Sequence, residues 1–140
     1  MNASEHHAEA RRWIRYAEED LSAAEVLLAP ANRIARQACW LAQQAAEKAL
    51  KAGLVFGQIP FPFRHDLDAL RNLLPGDWET RRQNPDLAEL TEWAVEARYP
   101  GDWQEPLPED ALRAVAQARG VLENMLADLA RHGLDTRPER

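Results

Sequence analysis

At 140 residues the chain is long enough for one domain and too short for two independent cores. With 46% hydrophobic residues it can bury a real core, and 17 Lys and Arg against 23 Asp and Glu leave a net charge of −6, which argues against a general nucleic-acid coat but leaves room for a small cationic site. The single cysteine, Cys39, excludes an intramolecular disulfide and any multi-cysteine zinc site.

No stretch reaches the roughly 18 apolar residues that a membrane span needs. The opening Met-Asn-Ala-Ser-Glu-His-His lacks the basic-then-apolar layout of a signal peptide. A soluble cytoplasmic domain is therefore expected. The start carrying His6 and His7 is expected to be loose. From there Ile14, Ala17, Leu21, Ala24 and Leu28 step by three and four, the period of one helix face. On a flank of this helix Asp20 lies one turn from Tyr16 and two from Trp13, with Ala23 and Leu27 continuing the stripe. Such an acid is either half exposed at the core's edge, the favoured reading, or paired across a groove with an Arg or Lys from another helix.

Pro30-Ala31-Asn32 reads as a tight link to a second helix, whose apolar series is Ile34, Ala38, Leu41, Ala45, Ala49, Ala52 and Phe56. Ala35, Ala42 and Ala46 add to its small residues, and a helix so rich in alanine suits a central position, approached from more than one side. Gln37, Gln44, Lys48 and Lys51 fall on one stripe of it, which reads first as a solvated face. Cys39 sits beside the core stripe with no histidine at hand, so it reads as an inert core thiol.

Gly57, Pro60 and Pro62 end the second helix and make an extended connector. Asp66 can cap a short helix running through Leu74, where Pro75-Gly76 stops it. His65, just before that cap, suits a hydrogen bond to a carboxylate or a backbone carbonyl, a structural role first and a ligand contact second. Asn84-Pro85 is a start signal for a third long helix with Leu87, Leu90, Ala94 and Ala97 on its apolar face. Pro106 and Pro108 prepare the last helix, whose face is Ala111, Val115, Ala118, Leu122, Met125 and Leu129. No segment alternates with period two for long enough to compete as a strand. The expected fold is all-α, an up-and-down bundle of four long helices plus one short helix. It forms a single domain over residues 1–135, with 136–140 as a frayed tail.

The tetrapeptide Pro-Gly-Asp-Trp occurs at Pro75–Trp78 and again at Pro100–Trp103. At the first copy a turn lets Trp78 pin the loop onto the bundle. The second follows Arg98-Tyr99. A guanidinium in the last turn of a helix, a phenol, the turn aspartate Asp102 and the indole of Trp103 can together contact a phosphate and stack on a base. The helix dipole alone also favours a cation at that position. No glycine-rich phosphate loop is present, neither Ser4 nor Ser22 has a recognisable base partner, and His65 has no neighbouring ligand set. No metal and no cofactor is expected. Five tryptophans exceed what a small core needs, and surplus aromatics suit an interface.

Taken in order, Trp13 to Leu21, Gln43-Gln44-Ala45-Ala46-Glu47-Lys48-Ala49-Leu50-Lys51-Ala52, His65-Asp66-Leu67 and Ala97-Arg98-Tyr99-Pro100 resemble the HEPN domain family, named for higher eukaryotes and prokaryotes nucleotide-binding. The resemblance runs from about Ala8 to Leu129. It implies a compact bundle of four or five helices that forms a homodimer, often paired with a minimal nucleotidyltransferase as toxin and antitoxin. Several relatives are ribonucleases, and these carry an Arg followed after four to six residues by a His. None of His6, His7, His65 and His132 stands in that relation to an arginine here. The usual proton carrier for metal-independent RNA cleavage is therefore missing. The resemblance implies a non-catalytic, prokaryotic-type module that binds a nucleotide, an RNA end or a partner protein, as the HEPN half of such a pair. Its candidate ligand-binding residues are Lys48, Lys51, Arg98, Tyr99, Asp102, Trp103, Asp20 and His65. The alternative is a ribonuclease toxin with a non-standard site around Arg98, Tyr99 and Asp102. In related pairs the nucleotidyltransferase can adenylylate a tyrosine near the ribonuclease motif, which makes Tyr99 the position to test.

Overall fold

The computed structural model describes residues 2–63, 65–94 and 104–137. Within them the regular structure is all helical: α1 (Ala3–Leu28), α2 (Ala35–Phe56), α3 (Leu67–Asn72), α4 (Glu79–Gln83), α5 (Ala88–Glu92) and α6 (Pro108–Arg131). The all-α class holds. Three of the described helices are long and three short, and the expected third long helix is represented there by α5, which closes at Trp93.

The N-terminal residues are not loose. Asn2 Oδ1 accepts the Glu5 N–H at 2.9 Å and the Glu5 carboxylate accepts the Asn2 N–H at 3.2 Å, a reciprocal cap that starts α1 at once. His7 then stacks on Phe56 at 5.0 Å. At the other end Ala29 is forced to extended backbone by Pro30 behind it, and α1 stops there. The turn is held by Asn32, whose amide donates to the Val26 carbonyl at 2.9 Å.

Antiparallel to α1, α2 is the central helix. It packs against α1, α6, α3 and α5, and its alanines are what let all of them approach. Gly53 marks the tightest point, since a Cβ there would lie 2.5 Å from Met125 Cε on α6. Two helices end in the same six-to-one closure. On α6 the Leu134 N–H reaches the Leu129 carbonyl at 2.9 Å across Gly133 (φ +92°), and on α2 the Ile59 N–H reaches the Leu54 carbonyl at 2.8 Å across Gln58 (φ +55°).

Between α2 and α6 the short helices are tied down by side chains. Asp66 caps α3, its Oδ1 accepting the Ala69 N–H at 3.2 Å, as its position predicts. The fully buried Asp128 of α6 accepts the Glu79 N–H at 2.9 Å, the Thr80 N–H at 2.8 Å and the Thr80 hydroxyl at 2.6 Å, so α4 is capped from another helix. Asn84 does not start a helix. It ends α4, donating to the Thr80 carbonyl at 2.8 Å and to Asn124 Oδ1 at 2.9 Å, and Asp86 instead accepts the Ala88 N–H at 3.0 Å. Trp78 does pin its loop: it is buried, 5.0 Å from the His132 ring and 6.4 Å from Phe56. No helix of the described residues is long and apolar enough to cross a membrane.

Candidate functional site

The connector from Gly57 to Asp66 returns along α2 and brings His65 onto the polar stripe of that helix. Glu47 lies at the centre. Its carboxylate, only 5% exposed, accepts from His65 Nδ1 at 2.6 Å, from Lys51 Nζ at 3.0 Å and from Gln43 Nε2 at 3.1 Å. The Gln43 amide also donates to the His65 carbonyl at 3.3 Å, and its own Oε1 accepts from Gln44 Nε2 at 2.7 Å. His65 is thus held by ring and by backbone, while 51% of its side chain stays open to solvent.

The rest of the stripe faces α1. Lys51 Nζ sits 5.7 Å from the centroids of both Trp13 and Phe61, in the geometry of a cation held between two aromatic faces. One turn earlier Lys48 Nζ meets Asp20 Oδ2 at 2.5 Å. Asp20 is therefore paired across the α1–α2 groove, the less favoured of the two readings open to it, and partly exposed as well. The stripe is not a solvated face: Lys51 is buried and Lys48 three-quarters covered, and among its four members only Gln37 is exposed. The physical reason is that α1 and the connector each supply an acid or an aromatic wall that roofs it over.

Electrostatics follow from this packing. Burial alone pushes the Glu47 carboxyl upward, but the hydrogen bonds from His65, Lys51 and Gln43 more than offset it and hold the group below the usual carboxylate range. Glu47 is thus ionised and can only accept. Cys39 behaves as its sequence position implies. Burial, reinforced by Asp110 and Glu89, pushes its thiol up to about 12, which leaves no thiolate nucleophile.

Of the eight candidate residues the structure brings together four: Asp20 with Lys48, and Lys51 with His65 through Glu47. Arg98, Tyr99, Asp102 and Trp103 lie outside the described residues. Gln43 and Glu47, the buried members that organise the site, are not among the eight candidates, although both stand in the stretch that carries the family resemblance. Glu47 at i+4 from Gln43 and i−4 from Lys51 was the available signal. Among the described residues no group of His, Cys, Asp and Glu has the makings of a metal site.

A family model for the HEPN domain matches residues 10–128. Among solved structures, the crystal structure of an archaeal HEPN homologue is 27% identical over an alignment covering 84% of this chain and 95% of that one, with a TM-score of 0.63. A comparison with curated proteins gives no match.

Proposed function

Because the chain belongs to the HEPN domain family, we propose that it is a dimeric, non-catalytic module that binds a nucleotide or an RNA end in the groove between α1, α2 and the 57–66 connector. In this reading its partner is a minimal nucleotidyltransferase. The observation that carries the proposal is the buried polar network itself. Gln43, Glu47 and Lys51 occupy interior positions where leucines would hold two helices together at lower desolvation cost, and the network reaches the surface at one half-open histidine.

The roles divide by exposure. Lys48 and Lys51 are matched by Asp20 and Glu47, so they shape the groove rather than offer free charge. His65 is the contact at its mouth, and Arg98 with Tyr99, Asp102 and Trp103 supplies the phosphate and stacking contacts. The absence of an Arg–His pair at ribonuclease spacing supports binding over cleavage.

Nucleotides and short RNAs screened by thermal shift, beside a gel assay for cleavage, test this reading. Wild-type protein is expected to be stabilised without cleaving, to lose the stabilisation in Arg98→Ala, and to scatter light at twice the mass of the chain. RNA cleavage that disappears in Arg98→Ala would instead make the protein a ribonuclease with a non-standard site.

A further inference from the structure

The Glu47–His65 contact fixes more than a connector. An ionised carboxylate has no hydrogen to give, so at 2.6 Å the hydrogen lies on His65 Nδ1. A neutral imidazole carries only one N–H, and that one is now committed to the interior. The other nitrogen, Nε2, is left with a lone pair on the opposite edge of a ring whose side chain is half open to solvent. Gln43 prevents the ring from drifting by holding the His65 carbonyl.

The surroundings do not suit a free anion, because Lys48 and Lys51 are already neutralised by Asp20 and Glu47. They do offer rings: Phe63, two residues before His65, is fully exposed, and Tyr16, between Trp13 and Asp20 on the same flank of α1, is exposed with the Arg15 guanidinium 5.2 Å from its ring centroid. One fixed acceptor beside exposed aromatic rings, with the nearby lysines already paired, fits a ligand that brings a hydroxyl and a flat ring.

We propose that Glu47 positions His65 so that Nε2 accepts a hydrogen bond from a ribose hydroxyl, 2′ or 3′, of the bound nucleotide. This rests on the nucleotide-binding reading above and adds a discrimination to it: the site prefers a complete ribose to a deoxyribose. His65 touches the ligand, and Glu47 acts through His65 by setting its tautomer.

Calorimetric titration of the full chain with adenosine monophosphate and its 2′-deoxy and 3′-deoxy analogues tests the proposal. Wild-type protein is expected to bind the ribonucleotide about five-fold more tightly than one of the two analogues, the scale of one neutral hydrogen bond. His65→Phe is expected to bind all three alike, and Glu47→Gln to lose part of the preference. Imidazole nitrogen shifts at about pH 8, where an ordinary histidine is neutral, are expected to show the Nδ1–H tautomer in the wild type and a mixture in Glu47→Gln. Should Glu47→Gln not fold, His65→Phe still decides, since it alters a half-exposed ring on a connector. Equal affinity for the three nucleotides overturns the inference and leaves the binding reading standing. A preference that survives His65→Phe, or an Nε2–H tautomer in the wild type, also overturns it. No binding of any of the three removes the inference, and the short-RNA screen then decides the binding reading.

Discussion

Lys51 and Lys48 are three residues apart on one stripe, yet their energetics differ. Lys51 lies inside the bundle between Trp13 and Phe61 and is bonded to a carboxylate that is itself buried. Removing one partner of such a pair leaves the other charged and desolvated. Lys51→Met is therefore expected to lower stability by about 3 kcal/mol in urea unfolding. Adding Glu47→Gln to it should recover part of that loss. At Lys48, where both partners keep some contact with water, the same substitution should cost under about 1 kcal/mol. An unchanged urea midpoint in Lys51→Met would mean that Glu47 is satisfied without it. Spacing along the sequence placed both lysines and both glutamines on one line of α2. It gave no measure of burial, because what roofs a residue over comes from other helices.

Helix boundaries show how far local chemistry carries. Prolines and glycines mark the ends of α1, α2 and α6 within a residue or two, since a missing N–H or a left-handed backbone acts on its own turn. The two six-to-one closures differ in one respect: α6 uses Gly133 at the left-handed position, whereas α2 uses Gln58, one residue after Gly57. A side chain at positive φ is strained. Gln58→Gly is expected to raise stability by about 0.5–1 kcal/mol and Gly133→Ala to lower it by about 1 kcal/mol, read as opposite shifts in the urea midpoint. Asn84 shows where local signals mislead. Asn-Pro resembles a helix start, but Asn124 and the Thr80 carbonyl take the Asn84 amide, and the buried Arg71 guanidinium donates to its carbonyl at 2.8 Å. A residue whose local signal marks a beginning serves as an end.

At the scale of the molecule, two buried carboxylates tie helices together through depressed ionisation. Burial works against Asp128, as it does against Glu47, but the Thr80 hydroxyl and N–H, Arg131 and the Glu79 N–H hold it below its ordinary range. A group whose folded value lies under its unfolded value contributes fully above the unfolded value and loses that contribution as pH falls through the folded one. Stability is therefore expected to hold from neutrality to about pH 5 and to fall steeply below about pH 4. Asp128→Asn should be less stable at neutral pH and show a shallower acid decline. An equally steep decline in that variant would place the acid sensitivity elsewhere. By itself the sequence determined that the protein is helical, where its long helices stop, which of them is central, and which family it belongs to. Periodicity, turn residues and short motifs act over a few positions, so all of these are written locally. Only the tertiary structure decided that Glu47 reaches His65 18 residues on, that Asp20 meets Lys48 across 28, and that Asp128 caps a helix 48 residues before it. The state of a polar side chain depends on burial and on a partner, and both are supplied by whichever distant segment the packing brings alongside.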